Sequence, residues 1–378
     1  MSRSNLTFFS ISNPGLGNIS LKEIEELGTA SSEPYRSAIL FDSEKIINVF
    51  RKCQSVKSLA LHLCKCKTAE DFSLTDISKI INLNTVFNLP ETDTKKLSFN
   101  IEVIGVKGNE NRIELSGQFY KKIIEEFKDK LNIELSVDYK KYDFIVQIYC
   151  TSSEEDNDKN YLVGVKLNDQ DFDSREYRVF AHQASFKGDF AYSLLREFEV
   201  DKNDKILFVF AKDATLAIEA TFFQNNLNVR KVKKDDFVSK SEYFKKFVVN
   251  ESSDCVSEDI NLFTFDERQS NVRAANNNAK LAGVKDKIKF TCSSLDDLDI
   301  RYDKEEFSKA IVQLTRKDEN RLHEIYHQLS YVLSKGAKIM FIVRPGFDLI
   351  IPDNFKEFFN KEITRGGSNY KLICLEKI

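Results

Sequence analysis

No charge of one sign dominates this chain: 56 lysines and arginines face 59 aspartates and glutamates, for a formal net charge of -3. Bulk charge therefore does not announce a polyanion partner, and any nucleic-acid surface has to come from local clustering. Apolar runs long enough for a bilayer are missing. The opening MSRSNLTFFSISNPGLG has neither the apolar core nor the small-residue cleavage pattern of a secretory leader. Cysteine is sparse, with seven scattered residues, an odd number that fits a reducing cytosol better than a disulfide framework. The four histidines join no Ser-His-Asp or Cys-His set. A cytoplasmic protein without membrane contact is the expectation.

What is present is ordinary for a soluble chain: 42% hydrophobic and 30% charged residues over 378 positions, enough for two or three domains. His62, Cys64 and Cys66 in ALHLCKCK come closest to a metal cluster, since alternate residues of a strand share a face. No second ligand pair follows at a zinc spacing, so the stretch reads as a half-buried strand with core cysteines, and no metal is expected.

Periodicity divides the chain into three stretches. Residues 6–11 form an apolar run, Pro14-Gly15 a turn, and Ser20 a cap for a helix carrying Leu21, Ile24 and Leu27 that Gly28 closes. A strand at 37–41 and a helix through Ile46, Ile47 and Phe50 continue a ferredoxin-like pattern. A polar seam runs from Asn88 to Thr94. A strand at 97–106, a helix at 116–131 and strands at 144–150 and 161–167 follow, the last two separated by the acidic SSEEDNDKN. From about residue 201 strands alternate with helices: strands at 206–211, 260–265, 288–292, 310–314, 338–343 and 370–375, helices at 215–224, 269–282 and 319–333. That rhythm predicts a mostly parallel, doubly wound sheet whose ligands sit beyond the carboxyl ends of its strands.

Three collinear segments carry a family resemblance. PGLGNISLKEIEELG (14–28) is similar to the opening helix of the THUMP-domain RNA methyltransferases, especially those making N2-methylguanosine in tRNA. Residues 162–195 resemble the end of the THUMP domain and its linker, matching the family at Arg175, Tyr177, Arg178, His182, Ala184, Lys187 and Ala191, with Glu176 for a glycine and Gln183 for a proline. Residues 271–290 resemble the second helix and third strand of the catalytic fold. The resemblance implies an α+β N-terminal half, with a ferredoxin-like domain over 1–62 and a THUMP domain over 63–168. A linker over 169–196 and an α/β, Rossmann-like class I methyltransferase fold over 197–378 would follow.

The same resemblance shows where chemistry is altered. The family's glycine-rich turn after the first strand lets the backbone approach S-adenosylmethionine, but here the two glycines align with Lys212 and Ala214, and the acid and proline before them with Phe208 and Val209. Asp266 occupies the place of the acid that holds the ribose hydroxyls, a position equally suited to a helix cap. Ser294 stands where an acid accepts from the adenine amine. Gln313-Leu314-Thr315-Arg316 replaces the tetrad whose oxygens accept from the guanine amine and whose ring stacks the flipped base. Together these changes predict an RNA-binding protein, with tRNA as its partner, whose methyltransferase domain has lost catalysis and needs no cofactor. The alternatives are an S-adenosylmethionine-dependent tRNA guanine N2-methyltransferase and a protein-interaction scaffold. Phosphate contacts would come from Lys121 and Lys122, Lys140 and Lys141, Arg230, Lys231, Lys233 and Lys234, and Arg316 and Lys317 at the tetrad position. Lys245 and Lys246 add a further pair, while Tyr139, Tyr142 and Tyr243 could stack bases.

Overall fold

The computed structural model describes residues 6–29, 31–89, 95–152, 159–248, 260–347, 349–365 and 368–378. Its elements run β1 (Thr7–Ser12), α1 (Gly17–Glu26), β2 (Ser31–Tyr35), β3 (Ala38–Asp42), α2 (Ile46–Lys52), β4 (Val56–Cys66), α3 (Thr75–Ile80), α4 (Leu83–Val86), β5 (Lys95–Ile104), α5 (Asn109–Leu131), β6 (Ile133–Val137), β7 (Phe144–Cys150) and β8 (Tyr161–Lys166). There follow α6 (Gly188–Glu197), β9 (Ile206–Val209), α7 (Thr215–Gln224), α8 (Phe237–Lys240), α9 (Glu242–Val248), β10 (Leu262–Asp266), α10 (Gln269–Leu281), β11 (Ile288–Cys292), α11 (Leu298–Arg301), β12 (Phe307–Gln313), α12 (Leu322–Val332), β13 (Leu333–Val343), β14 (Phe355–Arg365) and β15 (Ser368–Lys377).

The chain folds as two compact units, Met1–Phe172 with Arg230–Ser253 and Asp173–Val229 with Asp254–Ile378. In the first unit a single eight-stranded sheet runs β2-β3-β1-β4-β8-β7-β5-β6. The seam expected at residues 62 and 63 therefore lies inside β4, a strand paired with β1 on one side and β8 on the other. Its core is rich in phenylalanine. The Phe144 ring lies 5.2 Å from Phe87, 5.8 Å from Phe99 and 5.9 Å from Phe127. Phe237, Val238 and Phe244 from the 230–253 segment join the same core, so that stretch leaves the methyltransferase boundaries expected over 197–378.

The second unit is α/β and Rossmann-like, with strands in the order β11-β10-β9-β12-β13-β15-β14. β9, β10, β11, β12 and β13 are parallel, and β15 runs antiparallel between β13 and β14. α6, which falls in the expected linker, packs in this unit with its first eight residues buried.

The sequence pattern places most elements to within a few residues, α7 and β11 to the residue. Gly28 does close α1, at φ +89°, but α1 starts at Gly17 and buries Ser20 rather than using it as a cap. β2, β6 and β14 escape the pattern. All three are edge strands, where one flank faces no neighbour and polar residues such as Ser31, Glu134 and Lys356 are tolerated. Residues 90–94 of the polar seam and 153–158 of the acidic loop lie outside the described residues.

Candidate functional site

In the second unit the chain leaves β9 for one side of the sheet and β12 for the other, so the switch point lies between these two neighbouring strands. The β9–α7 turn stands over it. Phe210, Lys212 and Ala214 take φ of 55°, 54° and 58°, a left-handed conformation that side chains rarely adopt. This is the backbone shape for which a glycine-rich turn is suited, held here by residues with Cβ atoms. It is fixed from several directions. The Ala211 amide donates to the Phe265 carbonyl at 3.1 Å, and the Lys212 amide to Asp266 Oδ2 at 3.0 Å. Asp213 Oδ1 accepts from the amide and hydroxyl of Thr215, at 3.2 and 2.9 Å, which ties the turn to the first residue of α7.

Asp266, buried at the end of β10, also accepts from the Arg268 amide and Asn271 Nδ2, both at 3.0 Å. Its two oxygens carry about four acceptor directions and three are used. Asp266 thus ties the β9–α7 turn to β10 and to the start of α10, which itself has no side-chain cap.

Lys212 crosses the switch point. Its side chain, only 6% exposed, ends with Nζ donating to the Gln313 main-chain carbonyl at 3.3 Å. Burial pushes the ammonium down to about 8, against the pull of Asp266, Asp318 and Asp213. The Gln313 side chain points elsewhere, donating through Nε2 to the Ala184 carbonyl. Leu314 is buried, and Thr315 caps the following turn with Asp318. The side chains of Arg316 and Lys317 lie outside the described residues.

The segment over residues 175–187 wraps this edge, and its anchors explain the residues that carried the resemblance. Arg175 forms a fully buried, two-pronged pair with Glu219 of α7, at 2.8 and 3.0 Å, and Tyr177 donates its hydroxyl to Glu219 at 2.7 Å. Burial opposes the Arg175 charge, yet Glu219 holds its pKa above the usual arginine range; burial followed by Glu219 drives the Tyr177 hydroxyl up. Gly188 sits so close that a Cβ would overlap both Arg175 Nε and Glu219 Oε1. Further along, the His182 amide and the Ser185 hydroxyl donate to Asp213 Oδ2. Buried Asn278 of α10 clamps Phe180 through its amide and carbonyl and also donates to the Asp213 carbonyl at 3.1 Å. Burial, then Lys212, lowers the His182 imidazole.

At the end of β11, Ser294 precedes a short turn whose Leu295 amide donates to Glu267 Oε1 at 3.1 Å. Arg321 grips both Glu267 oxygens at 2.8 Å and holds that carboxyl below its ordinary range. Asn278 and the Glu267–Arg321 pair went unread in sequence, and Glu219 looks unremarkable there, because an isolated polar residue on a helix does not reveal a buried partner distant along the chain.

The basic candidates of the first unit divide by engagement. Lys121, Lys140, Lys141, Lys231 and Lys234 are exposed, and Tyr139 beside Lys140 is 72% exposed. Asp138 Oδ1 fixes the turn by accepting from the amides of Lys140 and Lys141. Lys122 pairs with Glu125 at 3.1 Å. Arg230 is drawn into the fold: Nη1 donates to the Phe50 carbonyl at 2.7 Å and the guanidinium lies 3.7 Å from the Phe172 ring centroid. Lys233 donates to Gln170 Oε1. Lys245 pairs with Glu242, and Lys246 lies 4.4 Å from the Tyr243 ring centroid. Among the described residues no three His, Cys, Asp or Glu gather as metal ligands, and no helix is long and apolar enough to cross a membrane.

Residues 175–335 match the family described as UPF0020, the RMKL-like methyltransferase domain. The tRNA (guanine(6)-N2)-methyltransferase of Methanocaldococcus jannaschii is 23% identical over 98% of this chain and 91% of its own length. The enzyme of the same name from Archaeoglobus fulgidus is 24% identical over 78% of this chain and 71% of its own. Among solved structures, a putative methyltransferase complexed with SAH, SMU.472, superposes with a TM-score of 0.66 at 13% identity, over 99% of this chain and 98% of that one. These matches correct the expectation of a fold that has lost catalysis and needs no cofactor: both relatives, one of them aligned over nearly its whole length, are named as methyltransferases. Side chains at 212 and 214 do not prevent the turn from taking its left-handed shape.

Proposed function

We propose that this chain is an S-adenosylmethionine-dependent methyltransferase acting on the exocyclic N2 of a guanine in tRNA, with guanine 6 the nucleotide that the relatives' names point to. The observation that carries the reading is the turn of left-handed residues over the β9–β12 switch point, anchored to Asp266 at the end of the adjacent strand. The residues fit the cofactor. The free acceptor direction on Asp266 suits a ribose hydroxyl, and the left-handed turn offers its backbone to a ligand once the Lys212 side chain stands aside. When bound, the cofactor supplies a methyl group activated on a sulfonium.

The chain's own contribution is positional. Asp266 would orient the nucleoside while keeping the turn in register. The Gln313 carbonyl, at the end of β12, is an acceptor for an amine N–H, the polarity that the guanine amine presents. The Arg175–Glu219 pair holds the 175–187 segment against α7, so the mouth of the site keeps its shape when substrate binds.

The first unit, in this reading, is the THUMP-like RNA-binding half. Its exposed Lys121, Lys140, Lys141, Lys231 and Lys234 are the phosphate contacts, with Tyr139 as a stacking surface. The free thiols of the six described cysteines suit a cytoplasmic setting.

The experiment is methyl incorporation from labelled S-adenosylmethionine into unmodified tRNA, followed by nucleoside mass spectrometry. N2-methylguanosine is the expected product, and Asp266→Ala should weaken S-adenosylhomocysteine binding at least about ten-fold, the loss of one buried charge-assisted hydrogen bond. A protein that binds neither S-adenosylhomocysteine nor tRNA sinks the proposal.

A further inference from the structure

We propose that Lys212 is a built-in competitor for the switch-point site: its ammonium holds the Gln313 carbonyl until an amine-bearing ligand displaces it. The inference rests on the functional reading above and goes beyond it, because a turn of glycines contains no such side chain.

Three observations carry it. The side chain starts on the β9–α7 turn and ends at the last residue of β12, so it spans the crevice that a ligand at the switch point must enter. Its ammonium has three N–H groups, and among the described residues only the Gln313 carbonyl receives one; no carboxylate closes an ion pair with it. A buried ammonium with a single neutral partner has surrendered more hydration than it regains, so the closed state is held weakly. The backbone beneath is separately fixed by the Lys212 amide on Asp266, so the side chain can swing out without disturbing the turn.

The chemistry of the contact identifies what displaces it. A strand-end carbonyl accepts from N–H donors, and Lys212 presents one in the crevice that both amine-bearing ligands, the cofactor with its amino-acid end and the guanine, would enter. Lysine and ligand then exclude one another, and apparent affinity falls by the fraction of molecules that stand open.

Calorimetric titration with S-adenosylhomocysteine tests this on the full chain. Lys212→Gly removes the competitor and suits the positive φ; Lys212→Asn also tolerates that φ and is too short to reach Gln313. If the latch is closed nine-tenths of the time, both variants should bind about ten-fold more tightly than the parent. Acylation with an amine-reactive ester, read by mass spectrometry, should label Lys212 slowly in the free protein and readily when S-adenosylhomocysteine saturates it. Unchanged or weaker affinity in both variants overturns the latch while leaving the functional reading standing. Absence of binding in parent and variants alike overturns that reading, and the latch with it.

Discussion

Single residues at the β9–α7 turn hold strain that can be measured. Ala214 is buried at φ 58°, where an L-residue gives up roughly 1–2 kcal/mol against glycine. Its methyl returns about 0.8 kcal/mol of burial. Backbone strain outweighs that burial, so Ala214→Gly should stabilise the fold by several tenths of a kcal/mol in urea denaturation. A loss of stability there would mean that the methyl matters more than the backbone. Lys212 adds a pH dependence. Its pKa is about 8 in place and about 10.4 once released to water. Expelling it therefore takes up a proton between those values and becomes harder as pH rises through the window; below pH 8 the effect vanishes. The groups facing it are Asp213, Asp266, Asp318 and His182. S-adenosylhomocysteine affinity should fall more steeply from pH 8 to 10 in the parent than in Lys212→Gly, the difference cancelling the ligand's own titration. Parallel profiles would show that the lysine never leaves.

At the scale of elements, the contact between α7 and the 175–187 segment depends on one buried ion pair. Removing a single partner strands a charge, so Glu219→Ala should cost about 3–5 kcal/mol, whereas Arg175→Met with Glu219→Leu should recover much of that. A double variant no better than the single one would assign the pair a specific structural role that apolar packing cannot replace. In the first unit, Phe144→Ala should cost about 3–5 kcal/mol, because the rings of Phe87, Phe99, Phe127 and Phe237 close around it. Legibility followed the same physics. Strands with both flanks paired, such as β7 with every residue buried, announced themselves through apolar runs. The edge strands β2, β6 and β14 did not. The site was legible as positions rather than contacts: Asp266 was found, but its grip on the Lys212 amide, and the reach of Lys212 to Gln313, join residues 54 and 101 positions apart and leave no periodic trace. Reading the lost glycines as lost chemistry assumed that side chains at 212 and 214 would keep the cofactor from the main chain; the turn takes its left-handed shape with those side chains in place.

For the whole molecule, near-neutral net charge means that the proposed tRNA surface would be local and salt-sensitive. Lys140→Glu with Lys141→Glu should lower the salt slope of tRNA affinity by about two, one per lost phosphate contact. A slope unchanged in filter binding would exclude that turn from the interface. The interleaving of the units has another result. The chain crosses from the second unit into the first at residue 230, deposits Phe237, Val238 and Phe244 in its core, and returns. A gene cut once at residue 172 would yield an amino-terminal product with a hole and a carboxyl-terminal product trailing bare aromatic side chains. Recombination that exchanges one half for a foreign counterpart at a single crossover is therefore penalised.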